Sequence, residues 1–456
     1  MTTEPTSTLA RFVTDLRYED IPMSAREWAK GLLFDAVGCG LAGWHGEETA
    51  QVLALARALG ASGEASVLGG EPLSLAGATL LNAYLVTAVT VCDVYRPSHC
   101  HMTPEVVPPA LAIAERDHLS GRALLTAVAA GFEVATRVAL GLHYPTFRAR
   151  GWHSPGVVGP FGGAAAVGKL RGLNWVQQRN AFGLAGSQAA GTFAAWGTPT
   201  VKFHQARGAL SGLLAATLAE QGFLASEEIL AHPDGGLLSS YSDGGQPEAV
   251  VADLGSRWEL EQISLRLWPA ATPLQSLLTA LFDLIRDQNL RAETVEAVRV
   301  ELPTSIFNAH KDFAEPRGTF EALLSPHFVT AVVLHEREAW LAQFGPDRYA
   351  DERLRGFIRE RVEVAPDDGL PLSACRVSAR LRDGQHVERV IHAPKGDPRN
   401  PASEAEIAAK FRRCADGVLT SEATDRLAAD LLNLERLSDV STLCRLASRT
   451  GTGARV

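Results

Sequence analysis

Apolar residues recur at helical spacing up to about residue 260 and then give way to strict alternation, so the chain changes architecture part-way along. In "AREWAKGLLFDAVGCGLAG", Trp28, Leu32, Leu33, Ala36 and Val37 share one helical face. "ETAQVLALARALG" stops on Gly60, a residue suited to a helix C-terminus. "LAGATLLNAYLVTAVTVCD" is apolar nearly all round, which predicts a helix buried on every side. "ALLTAVAAGFEVATRVALGL" and "ARGALSGLLAATLAEQGF" repeat the pattern, the second ending near Gly222. From about residue 263, "VEAVRVELP" and "SACRVSARLRDGQHVERVIHAP" alternate with period two, and "RDGQ" between two such runs predicts a hairpin. The helical patches "LQSLLTALFDLIRDQ" and "FVTAVVLHEREAWLAQF" lie between the alternating runs. "KGDPRNPAS" reads as a linker, after which Ser403 and Glu406 form a capping-box signal opening further helices. The expected fold is mainly α: a large all-helical domain, residues 1–262 completed by 403–456, and a smaller α+β domain, residues 263–402.

Composition narrows the classes. A 456-residue chain that is 46% hydrophobic and 21% charged suits a globular protein of two domains. Its net charge of −9 argues against nucleic acid or an anionic membrane as partner, since both need a basic face. The amino terminus lacks a basic stretch followed by an apolar core, and the six cysteines are scattered, which together predict reduced thiols and a cytoplasmic location.

Three polar stretches interrupt the helical half. The first holds Asp93 and "SHCHMTP", with His99, Cys100 and His101 beside a helix start. The second is "RARGWHSPGVVGPFGG", where His153 precedes a small-residue helix; the third, "GTPTVKFHQARG", carries Lys202, His204 and Arg207. Helix starts favour anions, and imidazole exchanges protons near neutral pH, so the pattern suits a carboxylate substrate and histidine proton transfer. A zinc site from Cys92, His99, Cys100 and His101 is the competing reading, but the adjacent pair and the lack of a second spaced pair do not suit one. No phosphate loop, dinucleotide fingerprint or nucleophile elbow occurs.

Taken together, "LLFDAVGCGLAG", "HMTPEVVPPALAIAE", "GWHSPGVVGPFGGAAAVGKLRGL", "SGLLAATLAEQGF" and "APKGDPRNPASEAEIAAKF" resemble the MmgE/PrpD family of dehydratases, decarboxylases and epimerases. The resemblance implies a helical domain with an α+β lid, a homodimer, no organic cofactor, no metal, and a small di- or tricarboxylate as substrate. By position, His101 matches the histidine heading an "HPS"-like turn, Asp93 the first acid of a preceding "DD", and His153 the histidine of "GFHPT"-like segments. These three are the catalytic candidates; Lys202, His204 and Arg266 are the candidates for binding the substrate's carboxylates. Departures accompany the match: Val201 stands at a family lysine with Lys202 one residue later, Arg266 at a lid lysine, Phe328 at a tyrosine and Val94 at the second acid. The expected function is therefore a lyase or isomerase acting on a small polycarboxylate by histidine-mediated dehydration, decarboxylation or epimerisation. The alternative is a relative that has lost the chemistry and serves as an anion-binding or scaffold protein.

Overall fold

The segment Leu75–Ala88 shows how the helical part is built. Ser74 accepts the Gly77 N–H and caps the first turn, and every residue from Gly77 to Ala88 is buried. The computed structural model describes residues 4–60 and 62–448. The chain divides into two compact units, one running to Ser264 and resuming at Glu404, the other Leu265–Ser403.

Six helices of the first unit matter below: α1 (Met23–Ala42), α2 (Leu75–Ala88), α3 (Thr103–Arg116), α4 (Gly121–Gly141), α5 (Ser154–Leu170) and α6 (Thr200–Glu220). Helix α6 lies along α5 and α2. The approach to α5 needs glycine, because a Cβ on Gly212 would sit 2.8 Å from the Gly163 Cα. The later helix Glu404–Ala415 packs on α1, where the buried Lys410 ammonium donates to Asp35 at 2.5 Å and to the Val91 carbonyl at 2.9 Å. Helix α4 is long and apolar enough to cross a membrane by composition alone, yet 89% of its apolar window is buried inside the protein. It is a core helix, and its Glu133–Arg137 ion pair sends the guanidinium on to the carbonyls of Ala252 and Arg257.

Proline ordinarily suits only the first turn of a helix, but α3 keeps Pro108 and Pro109 inside it. Each ring removes an N–H, which leaves the carbonyls four residues back without their usual donors. One of these, the Glu105 carbonyl, lies against Gly163 of α5, where a Cβ would sit 3.1 Å from the oxygen. Close packing by buried neighbours holds the helix where propensity alone would break it.

Two short strands of the first unit, β1 (Val94–Tyr95) and β2 (Ile263–Ser264), pair antiparallel. The second unit holds a sheet of β3 (Val295–Leu302), β4 (Val362–Pro366), β5 (Cys375–Leu381) and β6 (His386–Ile391), in the order β4-β3-β5-β6. Strands β5 and β6 form the hairpin over "RDGQ", with Gly384 at φ +87 donating its N–H to the Leu381 carbonyl. Helix α7 (Leu274–Gln288) covers β5 and β6, and α8 (Pro326–Glu336) packs against α7 and β4. Strand β4, parallel to β3, has no counterpart in the sequence reading. Only five residues long, it follows directly from the basic helix Glu352–Arg361, so no separate alternating run marks it.

Candidate active site

The loop from β1 to α3 carries the first candidates. Asp93 is fully buried, and its carboxylate accepts the N–H of Met102 at 2.8 Å, the N–H of Thr103 at 3.0 Å and the Thr103 hydroxyl. Met102, at the helix entry, makes no side-chain cap of its own. Asp93 therefore caps α3 from nine residues upstream, a demand for negative charge that the helix dipole reinforces. The carboxylate thus holds the helix start.

The backbone carbonyl of the same Asp93 lies 2.6 Å from the Nδ1 of His101. A carbonyl only accepts, so Nδ1 carries the proton and Nε2 is the nitrogen that takes up or releases one. His101 is half-buried. Its neighbours are quieter. His99 sits in the left-handed region at φ +48 with its ring against Tyr144, and burial, then Arg96, lowers its pKa to about 4. Burial pushes the Cys100 thiol well up, so no thiolate forms near neutral pH. Among the described residues no three histidine, cysteine or carboxylate side chains group as ligands for one ion.

Two further loops meet beside this one. The Ser154 hydroxyl donates to the Ser98 carbonyl at 2.7 Å, tying the start of α5 to the β1–α3 loop. The Phe193 N–H donates to Gly151 at 2.7 Å, and the His153 N–H to Gly191 at 3.0 Å. His153 stands at the N-cap of α5, 7% exposed, with its Nδ1 3.0 Å from the Nδ1 of His204 at the start of the second turn of α6. Burial, then His204 and then Arg148, lowers the His153 pKa to about 3. Burial, then Arg207, lowers that of His204. Both imidazoles are therefore neutral at pH 7. Arg148 stacks over the Phe193 ring at 3.3 Å. Arg207 spends its guanidinium on the carbonyls of Gln188, Gly156 and Ala190.

Each of the other expected binding residues has partners of its own. Lys202 is two positions before His204 on α6, about 200° round the helix at about 100° per residue. Its buried ammonium lies 3.2 Å from Glu48, which also accepts the Tyr84 hydroxyl at 2.7 Å. The structure thus separates Lys202 from the histidine pair and gives it an ion pair. His204, expected to grip a carboxylate, instead spends Nδ1 on His153. Arg266 belongs to the second unit, buried, with a guanidinium nitrogen 3.4 Å from the Ala270 carbonyl. Phe328, at the position of a family tyrosine, is 1% exposed in the core of that unit and packs on Phe344.

One buried acid escaped the sequence reading. Glu105, on the first turn of α3, is fully buried, and neither carboxyl oxygen has a hydrogen-bond partner. Burial, reinforced by Asp93 and only partly offset by Arg207, raises its pKa well above 4.5. Its cradle is made of glycine: a Cβ on Gly159 would lie 2.0 Å from the Glu105 Cδ, and one on Gly208 would lie 3.1 Å from Oε1. The clue in the sequence was the small-residue spacing of α5 and α6, since an acid in a first turn otherwise reads as a solvated partner of the helix dipole.

Two family models match this chain: the MmgE/PrpD N-terminal domain over residues 7–249 and the MmgE/PrpD C-terminal domain over residues 268–434. The cis-aconitate decarboxylase-like protein oryM of Aspergillus oryzae is 30% identical, over 97% of each chain. A cis-aconitate decarboxylase of Aspergillus terreus is 27% identical over 97% of this chain and 95% of its own. The cis-aconitate decarboxylase of Homo sapiens is 25% identical over 92% and 89% respectively.

Proposed function

The chain belongs to the MmgE/PrpD family, and from that premise we propose that it is a lyase removing carbon dioxide or water from a small di- or tricarboxylate, with His101 and His153 handling the proton. Relatives along nearly the whole chain carry the name cis-aconitate decarboxylase, which favours decarboxylation of an unsaturated tricarboxylate of that kind. In that reaction the bond to the departing carboxylate breaks and its electron pair passes into the conjugated system. Carbon then takes one proton, so each turnover consumes a proton. Dehydration runs the other way at its first step: a proton leaves carbon, and the hydroxyl departs with a proton added. Either course needs a group that holds and releases a proton at a fixed atom near neutral pH.

The observation that carries the reading is the 2.6 Å contact from His101 Nδ1 to the Asp93 carbonyl. Asp93 is itself immobilised by the amino end of α3. The ring is thereby fixed in one tautomer with Nε2 as its working nitrogen, an orienting function usually supplied by a third group in acid–base sites. His153, held neutral by burial and cationic neighbours, suits a base or a neutral hydrogen-bond donor rather than a standing imidazolium. The reading includes no organic cofactor and a homodimer.

The test is turnover of a panel of di- and tricarboxylates, cis-aconitate among them. One member should lose carbon dioxide or water, and His101→Ala and His153→Ala should each lower turnover by about 10² or more while the circular dichroism stays native. Native rates from both variants would overturn the site. Panel members that raise the melting temperature of the native protein without being converted would instead mark an anion-binding relative without chemistry.

A further inference from the structure

We infer that His204 is a positioning residue for His153: one proton shared between their Nδ1 atoms sets which imidazole offers a lone pair at Nε2 and which offers an N–H. This deepens the proton-transfer reading above and rests on it. Two Nδ1 atoms 3.0 Å apart cannot both carry protons, nor can both present lone pairs, so one ring donates and the other accepts. A ring with Nδ1–H has a basic Nε2; a ring accepting at Nδ1 has an Nε2–H. The pair thus presents one acid and one base whenever it is neutral.

The surroundings keep it neutral and in register. The rings lie 5.1 Å apart between centroids and are inclined at 51°. His204 packs on Gly191, where a Cβ would lie 3.0 Å from its Nδ1, and Gly191 is the residue whose carbonyl accepts the His153 N–H. A side chain at Gly191, which has φ +140, would push the two rings apart. The charged groups acting on the rings are Arg148, from the helix Tyr144–Ala149, and Arg207, one turn along α6. Both oppose a second proton on the pair.

Proton traffic through such a pair balances without stored charge. His153 takes a proton at Nε2, its Nδ1 proton moves to the Nδ1 of His204, and His204 releases its own Nε2 proton. Each ring ends neutral in the opposite tautomer, and the reverse sequence delivers a proton through His153. This lets the buried His153 imidazole, beside Arg148, move protons although its imidazolium is disfavoured.

Two measurements test the pairing. In 15N-histidine-labelled protein at pH 7, His153 and His204 should both give neutral-ring signals, joined by one exchange-protected Nδ1 proton. His204→Phe should remove that proton and change the His153 nitrogen shifts. In turnover, His204→Phe should lower kcat about tenfold or more with KM little changed and shift a limb of the pH profile. His204→Asn, which restores a polar group near Nδ1, should recover part of the loss. A native kcat and pH profile in His204→Phe, beside a crippled His153→Ala, would overturn the pairing and leave the lyase reading standing. Unchanged His153 signals in His204→Phe would overturn it even if no substrate were turned over.

Discussion

Replacing Glu105 by glutamine should make the protein more stable at neutral pH, and increasingly so as pH rises. The native side chain is a carboxyl group with no hydrogen-bond partner in a fully buried cradle formed by Gly159 and Gly208. Burial and Asp93 raise its pKa, so folding holds a proton that the unfolded chain would release. A carboxyl whose folded pKa is raised gives its full stabilisation below the unfolded pKa and loses it as pH climbs toward the folded value. Above the ordinary value of 4.5, the cost of holding that proton rises with pH by at most about 1.4 kcal/mol per unit for as long as the folded carboxyl stays protonated. Glutamine matches the shape and is neutral at every pH, so the variant escapes that cost. Urea unfolding of both proteins between pH 5 and pH 8 isolates the effect, because contributions common to the two cancel in the difference. The difference should be smallest at the acid end and grow toward neutrality, by at most about 1.4 kcal/mol per pH unit. A variant less stable at pH 8, or a difference that does not change with pH, would show a charged and partnered carboxylate and refute the reasoning.

Three further outcomes follow from the same contacts. Asp93→Ala strips two backbone N–H groups and a hydroxyl of their acceptor, and should lower stability by about 2 kcal/mol in urea unfolding, with Asp93→Asn losing less. Glu48→Gln leaves the Lys202 ammonium buried beside a neutral amide and should cost about 3 kcal/mol, more than Lys202→Met, which leaves Glu48 its Tyr84 donor; the double variant should regain much of the loss in thermal melts. Gly159→Ala drives a methyl group into the Glu105 carboxyl and should destabilise by about 1–3 kcal/mol, an effect that Glu105→Ala in the same chain should relieve.

The helices and the hairpin were legible because their signals are local. Leu274–Gln288 is bounded as its apolar spacing predicts, and Gly384 turns the chain where "RDGQ" stands. Strand β4 was not legible, since five residues running straight out of a helix offer no turn and too short an alternation. The interior prolines of α3 run against a local rule that gives way to burial on every side. In the candidate site, the imidazoles mark three stretches in the sequence, but partnership between residues far apart in the chain leaves no local trace. His153 and His204 meet because α5 and α6 start side by side; Lys202 turns away because it is two residues from His204 on one helix and Glu48 waits on the far face. Asp93 also caps the α3 amino end, a role that only the backbone geometry of Met102 and Thr103 reveals.

Solvent deuterium tests the histidine account most directly. With cis-aconitate as substrate in D2O, the native protein should release one carbon dioxide per product and place one deuterium on the carbon that gains the proton, while His101→Ala should do neither at more than about a hundredth of the native rate. Product formed by His101→Ala at the native rate, with the same deuterium content, would contradict the assignment of Nε2 as the proton carrier.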